Sequence, residues 1–186
     1  MNLIPESFKV NWIRPASQVY GELRKWLAIK DYICFNVAHN NGVIMALKPD
    51  CYLRKIPTGV VVKNGNRLTR QRKGEAPVVT KSTEWPPEFV PGLEAFFGKG
   101  PLPRVTGMTK LVDFQGYEAQ EIRAVYPGRG EYRLYVDATS GVYLGYRRIE
   151  KGQVTSGQLF DYLPPGNIVV KRDRFVLPAE PWDVVE

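Results

Sequence analysis

Short runs of β-branched and aromatic residues, separated by turn residues, restrict this chain to antiparallel sheet architectures. Asn41-Gly42 and Asn64-Gly65 are hairpin signals between such runs. Tight turns of this kind join antiparallel neighbours, because parallel strands need much longer crossovers. We therefore predict hairpins over residues 31–81, with strands at 32–39, 43–48, 51–56, 59–63, 66–72 and 77–81.

Residues 104–177 continue this pattern as a predicted antiparallel meander. Asp137 to Gly141 suits a hairpin loop that has glycine at its positive-φ position. The period of two places Tyr132, Leu134 and Val136 on one face of a strand. The predicted strands are 104–113, 116–125, 131–137, 142–149, 153–162 and 167–171.

A helix precedes the strands, and a crossover rich in proline and aromatic residues divides them. Within residues 15–30, Val19, Leu23 and Trp26 recur at helical spacing. Residues 84–103 contain too much proline for a central strand, but a short helix fits at 91–97, with Gly98 available to end it.

These elements predict one domain over residues 1–186, in a chain long enough to bury roughly 70% of its unfolded surface. The predicted class is mainly β with few helices. A large twisted open sheet tends to curl. We expect a curled antiparallel sheet, a half-open β-barrel of about 11 strands, covered by the N-terminal helix and the short mid-chain helix.

The composition indicates an ordinary globular domain. Apolar residues make up 44% and charged residues 24% of the chain, and no apolar run has the length of a membrane helix. The net charge of +7 favours acidic partners. Much of the excess comes from two tracts that we expect in solvated loops and strand edges: Arg67, Arg70, Arg72 and Lys73, then Lys171, Arg172 and Arg174.

The first 15 residues lack the basic and apolar regions of a secretory signal. We expect an extracytoplasmic location, periplasmic or at the cell surface, if a signal peptide has been removed. Otherwise the sequence leaves the compartment open.

Residues with catalytic chemistry are sparse, so we expect no catalytic residues, no cofactor and no enzyme activity. His39 is the only histidine, and its odd separation from Cys34 puts their side chains on opposite faces of a strand. No spacing selects a pair of carboxylates for glycoside hydrolysis among Glu118, Glu121, Asp137, Asp161 and Asp173.

Two cysteines, Cys34 and Cys51, cannot make a typical zinc site without a histidine cluster, so we expect no metal. A hairpin turn at Asn41-Gly42 places Cys34 opposite residues 47–49. A disulfide therefore needs a bulge near Pro49-Asp50, and two buried free thiols are the alternative.

A basic, aromatic sheet surface is a third hypothesis, since such surfaces bind nucleic acid. No RNA-recognition motif is present, and strand tyrosines usually pack within sheets, so nucleic acid is not the expected partner. The residues concerned are Tyr132, Tyr135, Tyr143, Tyr146, Arg133, Arg147 and Arg148.

Residues 116–177 resemble the C-terminal half of the lipoprotein-carrier (LolA-like) superfamily, which includes the RseB-like regulators. Segment 51–68 is similar to an earlier part of that family, through Arg54, Pro57, Val62, Gly65 and Leu68. The later matching residues are Tyr132, Leu134, Tyr135, Val136, Asp137, Thr139, Gly141, Leu144, Gly152, Phe160, Tyr162, Phe175 and Pro178.

This resemblance implies a half-open barrel with an apolar cavity for acyl chains and no catalytic residues. We expect a non-enzymatic binding protein for a lipid, a lipoprotein acyl chain or another hydrophobic ligand, with peripheral membrane contact compatible with that role. The alternative is a regulatory or structural module that binds a protein partner of the cell envelope. The candidate ligand-binding residues are Trp26, Phe35, Met45, Trp85, Phe89, Phe96, Phe97 and Phe160.

Overall fold

The computed structural model of the chain describes residues 14–37, 42–82, 90–98, 102–162 and 170–178. These residues confirm the predicted class, mainly antiparallel β with an N-terminal and a short mid-chain helix. The helices are α1 (Ala16–Ala28) and α2 (Leu93–Phe97). The strands are β1 (Tyr32–Val37), β2 (Gly42–Leu47), β3 (Cys51–Ile56), β4 (Gly59–Asn64), β5 (Arg67–Arg72), β6 (Val78–Lys81), β7 (Arg104–Phe114), β8 (Tyr117–Tyr126), β9 (Gly130–Asp137), β10 (Tyr143–Glu150) and β11 (Gln153–Tyr162).

The chain forms two compact units. The first comprises Met1–Ala28 and Glu94–Leu159, and its strands follow the order β7-β8-β9-β10-β11. The second comprises Ile29–Leu93 and Phe160–Glu186, with the order β6-β5-β4-β3-β2-β1 and the last residues of β11 beside β1. In the described ranges the outer strands of neither unit pair with each other, so neither unit is a closed barrel.

In the first unit, α1 packs on β7 and β8 through one apolar face. The carbonyl of Pro15 accepts the first helical hydrogen bonds, from the amides of Gln18 and Val19 at 3.0 and 3.1 Å. Val19, Leu23 and Leu27 follow at intervals of four and are buried, as the helical period requires. The predicted helix over residues 15–30 is therefore confirmed, shorter by a few residues at its ends.

A buried carboxylate joins the helices of the first unit to its sheet. Glu94 of α2 is only 2% exposed. The hydroxyls of Tyr20 on α1 and Tyr126 on β8 both donate to Glu94 Oε1, each at 2.9 Å. Burial, with the nearby Glu94 charge adding, raises the pKa of both tyrosines above the ordinary value, so both remain donors at neutral pH.

In the second unit, the strand register separates the side chains into two faces. Phe35 is paired with Ile44, and its neighbour Cys34 is paired with Met45. Adjacent residues of a strand point to opposite sides, so these pairs lie on opposite faces. The row that begins at Cys34 and Met45 continues across the sheet through Leu53, Val62, Thr69 and Val79.

Two predictions about local structure need correction. Cys34 lies opposite Met45 rather than opposite residues 47–49, because the β1–β2 register pairs Val37 with Gly42. The strand predicted at 167–171 is wrong in its described part, since Val170 and Lys171 are not in a strand. Val170 instead buries its side chain against the second unit's sheet. The rest of that predicted strand lies outside the described residues.

We expect Tyr126→Phe to lower the free energy of unfolding by about 1–3 kcal/mol, because the buried Glu94 carboxylate loses a hydrogen-bond donor. Urea denaturation measures the change. Tyr117→Phe is the matched control, since Tyr117 lies on the same strand but is 44% exposed. Equal effects of the two substitutions would contradict a stabilising role for the Glu94 contact.

Candidate functional site

The C-terminal segment, residues 170–178, packs on the Cys34–Val79 row of the second unit. Val170 is 6% and Phe175 2% exposed, and Leu177 packs against the same cluster. Residues of β1, β3 and β4 complete this core, so one end of the sheet face is filled by protein side chains. The buried members of the cluster are Cys34, Cys51, Leu53, Val60, Val62, Val170 and Phe175.

Polar contacts at Arg172 fix the C-terminal segment to the ends of two strands. Its guanidinium donates to Asp50 Oδ1 at 2.6 Å and to Asn64 Oδ1 at 2.7 Å. The Asn64 amide donates in turn to the carbonyls of Arg172 and Phe175, both at 3.4 Å. The hydrogen bond to Asp50 raises the pKa of Arg172 above its ordinary value.

A cavity of about 300 Å³ lies beside Phe175, and we call it the β4–β6 groove. Val62, Thr69 and Val79 are consecutive partners across β4, β5 and β6, so their side chains form one wall. The C-terminal segment forms the other wall. The apolar lining residues are Val62, Pro77, Val79, Phe175, Val176 and Leu177.

The groove has a buried floor and an exposed apolar rim. Val62 and Phe175 are 4% and 2% exposed, whereas Val79 and Val176 on the rim are 50% and 59% exposed. Apolar surface left open beside a buried floor is typical of a ligand-binding groove. Arg67 also lines the cavity, and it forms no ion pair with any described residue.

Another cavity of the second unit, of about 320 Å³, has a basic lining. It lies where β3, β4 and β5 adjoin and includes Arg54, Arg70 and Arg72. Arg54 and Arg70 flank Val61 across three strands, on the face opposite the groove. The two cavities differ in charge, since three arginines line this one whereas exposed valines border the β4–β6 groove.

Three of the predicted ligand-binding residues lie in the second unit, on two different faces. Phe35 and Phe160 stack with ring centroids 4.7 Å apart and are 0% and 3% exposed. Met45 is only partly buried and packs against the Cys34 cluster on the opposite face. Phe35 and Met45 therefore cannot line the same wall of one cavity.

Of the remaining predicted ligand-binding residues, the described ones lie in the first unit. Phe96 and Phe97 pack edge to face in the first unit, with centroids 4.7 Å apart, and they are 1% and 9% exposed. Trp26 is half-buried on α1. Trp85 and Phe89 lie outside the described residues.

Cys34 and Cys51 are two buried free thiols and do not form a disulfide. Burial raises the pKa of both thiols above the ordinary value. The Cys51 thiol contacts Asn64 Oδ1 at 3.6 Å, beside the Arg172 contact. Neutral, buried thiols are poor nucleophiles and metal ligands, so both cysteines serve as core residues here.

The tyrosines of the basic, aromatic surface are buried. Tyr132, Tyr135, Tyr143 and Tyr146 are at most 7% exposed, so their ring faces are not accessible for stacking bases. In the described ranges no three His, Cys, Asp or Glu side chains converge as metal ligands do. His39 lies outside these ranges.

Two of the carboxylates considered for glycoside hydrolysis, Glu121 and Asp137, form hydrogen bonds within the fold. Glu121 accepts a hydrogen bond from Tyr135 at 3.0 Å and pairs with Arg133. Partial burial acts to raise the pKa of Asp137, but hydrogen bonds from Ser140 and Thr139 in the β9–β10 turn outweigh it and lower the pKa. Gly141 completes this turn at φ +74°.

The residues that form the groove were not among the predicted site residues. The sequence predicts a strand at Val79 and includes Phe175 in the family resemblance, but no pattern places the two residues together. Phe175, Val176 and Leu177 form a run of three apolar residues, which predicts burial of the segment but not which of the three side chains is buried.

Comparison of the sequence with models of protein families gave no match, and comparison with curated proteins gave no similar sequence. The LolA-like resemblance therefore stays a prediction. Neither helix of the described chain has the length and apolar character needed to cross a membrane.

We expect Phe175→Ala to lower the free energy of unfolding by about 3–5 kcal/mol, because it empties the floor of the groove. Val176→Ala is the matched control, since Val176 is 59% exposed, and its effect should stay within about 0.5 kcal/mol. Urea denaturation measures both. A loss below about 1 kcal/mol for Phe175→Ala would show that the C-terminal segment is not part of the cooperative fold.

Proposed function

We propose that the protein is a binding protein for an apolar ligand with an anionic end group, held in the β4–β6 groove. One observation carries this proposal: exposed valines, Val79 and Val176, border a groove whose floor is the buried pair Val62 and Phe175. Covering such a rim removes apolar surface from water, at roughly 25 cal/mol per Å².

The size of the groove limits the ligand. About 300 Å³ is at the lower end of the range for small-molecule sites. A single aliphatic chain fits this volume better than a whole phospholipid. A free fatty acid and the acyl chain of a lipidated molecule share this chemistry, and both are within the proposed ligand class.

Charge at the groove favours an anionic end group. Arg67 lines the cavity, and no carboxylate of a described residue pairs with it. Arg172 is occupied by Asp50 and Asn64, and among the described residues that line the groove Arg67 is the one with a charged side chain. A ligand carboxylate or phosphate at this position would form a charge-assisted hydrogen bond.

The valines of β6 provide a direct test, because Val78 and Val79 are adjacent, similarly exposed and on opposite faces. We expect Val79→Asp to weaken binding of the anionic apolar dye anilinonaphthalene sulfonate by at least about tenfold, since it places a charge on an apolar wall. Val78→Asp should change the affinity by less than about twofold. Fluorescence titration of folded protein, checked by near-ultraviolet circular dichroism, measures both.

Arg67→Gln tests the end group separately. It should weaken binding of the anionic dye several-fold and leave binding of the neutral dye Nile red within about twofold. Equal responses of the Val78 and Val79 variants, or no dye binding by the native protein, would overturn the proposed function. Native mass spectrometry of the purified protein then distinguishes a bound fatty acid from a lipidated protein.

A further inference from the structure

The first unit contains a separate cavity, of about 270 Å³, where β10 and β11 adjoin the end of β7. Phe114, Tyr146 and Arg147 line it, together with residues 154–158 of β11. Residues 153–157 are exposed, so the cavity is accessible from solvent.

Aromatic contacts hold the Arg147 side chain in place. Its guanidinium carbon lies 5.1 Å from the centroid of the Phe114 ring and 5.4 Å from that of Tyr135. The two rings stack on each other at 4.0 Å and are 0% and 1% exposed. Cation–π contacts of this kind orient a guanidinium and reduce the conformational freedom that it loses on binding a ligand.

The Tyr135 hydroxyl is part of the same arrangement. It donates to Glu121 Oε2 at 3.0 Å, and Glu121 is also paired with Arg133. Burial raises the pKa of Tyr135 to about 12, with the Glu121 charge adding and Arg147 opposing. The phenol is therefore neutral at pH 7 and does not supply a counter-charge to Arg147.

Arg147 has no acidic partner among the described residues, in contrast to four other arginines of this unit. None of the described carboxylates forms an ion pair with it. A half-buried cation without a counter-ion is a favourable site for an anion, because its charge is only partly hydrated. The arginines that do have acidic partners are Arg14 with Glu22, Arg123 with Glu131, Arg133 with Glu121, and Arg148 with Glu150.

We propose that Arg147 binds a small organic oxyanion, a carboxylate or a phosphate, in this cavity. The planar guanidinium presents parallel N–H donors that match either group. A volume of about 270 Å³ suits a small anion rather than a lipid.

This site does not depend on the β4–β6 groove. The two cavities share no residue and belong to different units. Dye binding in the groove can therefore fail while anion binding at Arg147 succeeds, and the reverse also holds.

Nuclear magnetic resonance of ¹⁵N-labelled protein tests the proposal through the Arg147 side-chain Nε–H signal. Acetate, inorganic phosphate and chloride are titrated separately at constant ionic strength. We expect saturable shifts in the millimolar range for acetate or phosphate, and none for chloride. Tighter binding of acetate would identify carboxylates as the natural class, and tighter binding of phosphate would identify phosphate esters.

Variants separate a specific site from a general charge effect. Arg147→Met should weaken anion binding by at least about tenfold. Arg148→Met is the matched control, since it removes the same charge from the next residue on the opposite face, and it should change the affinity less than about twofold.

Arg147→Lys retains the charge but not the planar donor pair, so it should also weaken binding several-fold in a protein that remains folded. Equal weakening by the two methionine variants would overturn the proposal. Native affinity in Arg147→Lys, or no saturation with acetate and phosphate, would overturn it as well.

Discussion

Burial of Phe175 against Val62 and its neighbours is the contact on which the candidate site depends. It places the C-terminal segment on one face of the second unit and provides the floor and one wall of the groove. Full burial of a phenylalanine contributes roughly 1.5–3 kcal/mol. The exposed Arg172 contact to Asp50 contributes less, because surface ion pairs are worth only about 0–1 kcal/mol, but its geometry fixes where the segment crosses the strands.

Much of the fold could be predicted from local patterns. Hairpin signals such as Asn64-Gly65 and the helical spacing of Val19 and Leu23 act over a few residues, so local sequence patterns predict them. Local sequence patterns do not predict the groove. It depends on contacts between residues more than 100 positions apart, such as Asn64 with Arg172, and on which strand face those contacts cover.

The aromatic residues show the same limit of prediction from local sequence patterns. Phe35 and Phe160 are predicted beside a ligand, and in the structure they stack on each other and are buried. Aromatic character predicts burial and does not distinguish a core from a cavity wall. A cavity wall differs from a core in having side chains that share one sheet face and remain partly exposed, as Val79 does. Arg67 and Arg147 each line a cavity and have no acidic partner among the described residues. Arginine content alone does not show which arginines lack such a partner.

Intermolecular nuclear Overhauser effects between a bound fatty acid and methyl-labelled protein test the central claim most directly, because they arise only between protons in near contact. If the β4–β6 groove holds the chain, the methyl groups of Val62, Val79 and Leu177 show these effects while those of Val78 do not. Equal effects at Val78 and Val79, or effects confined to residues outside the groove, would contradict the account.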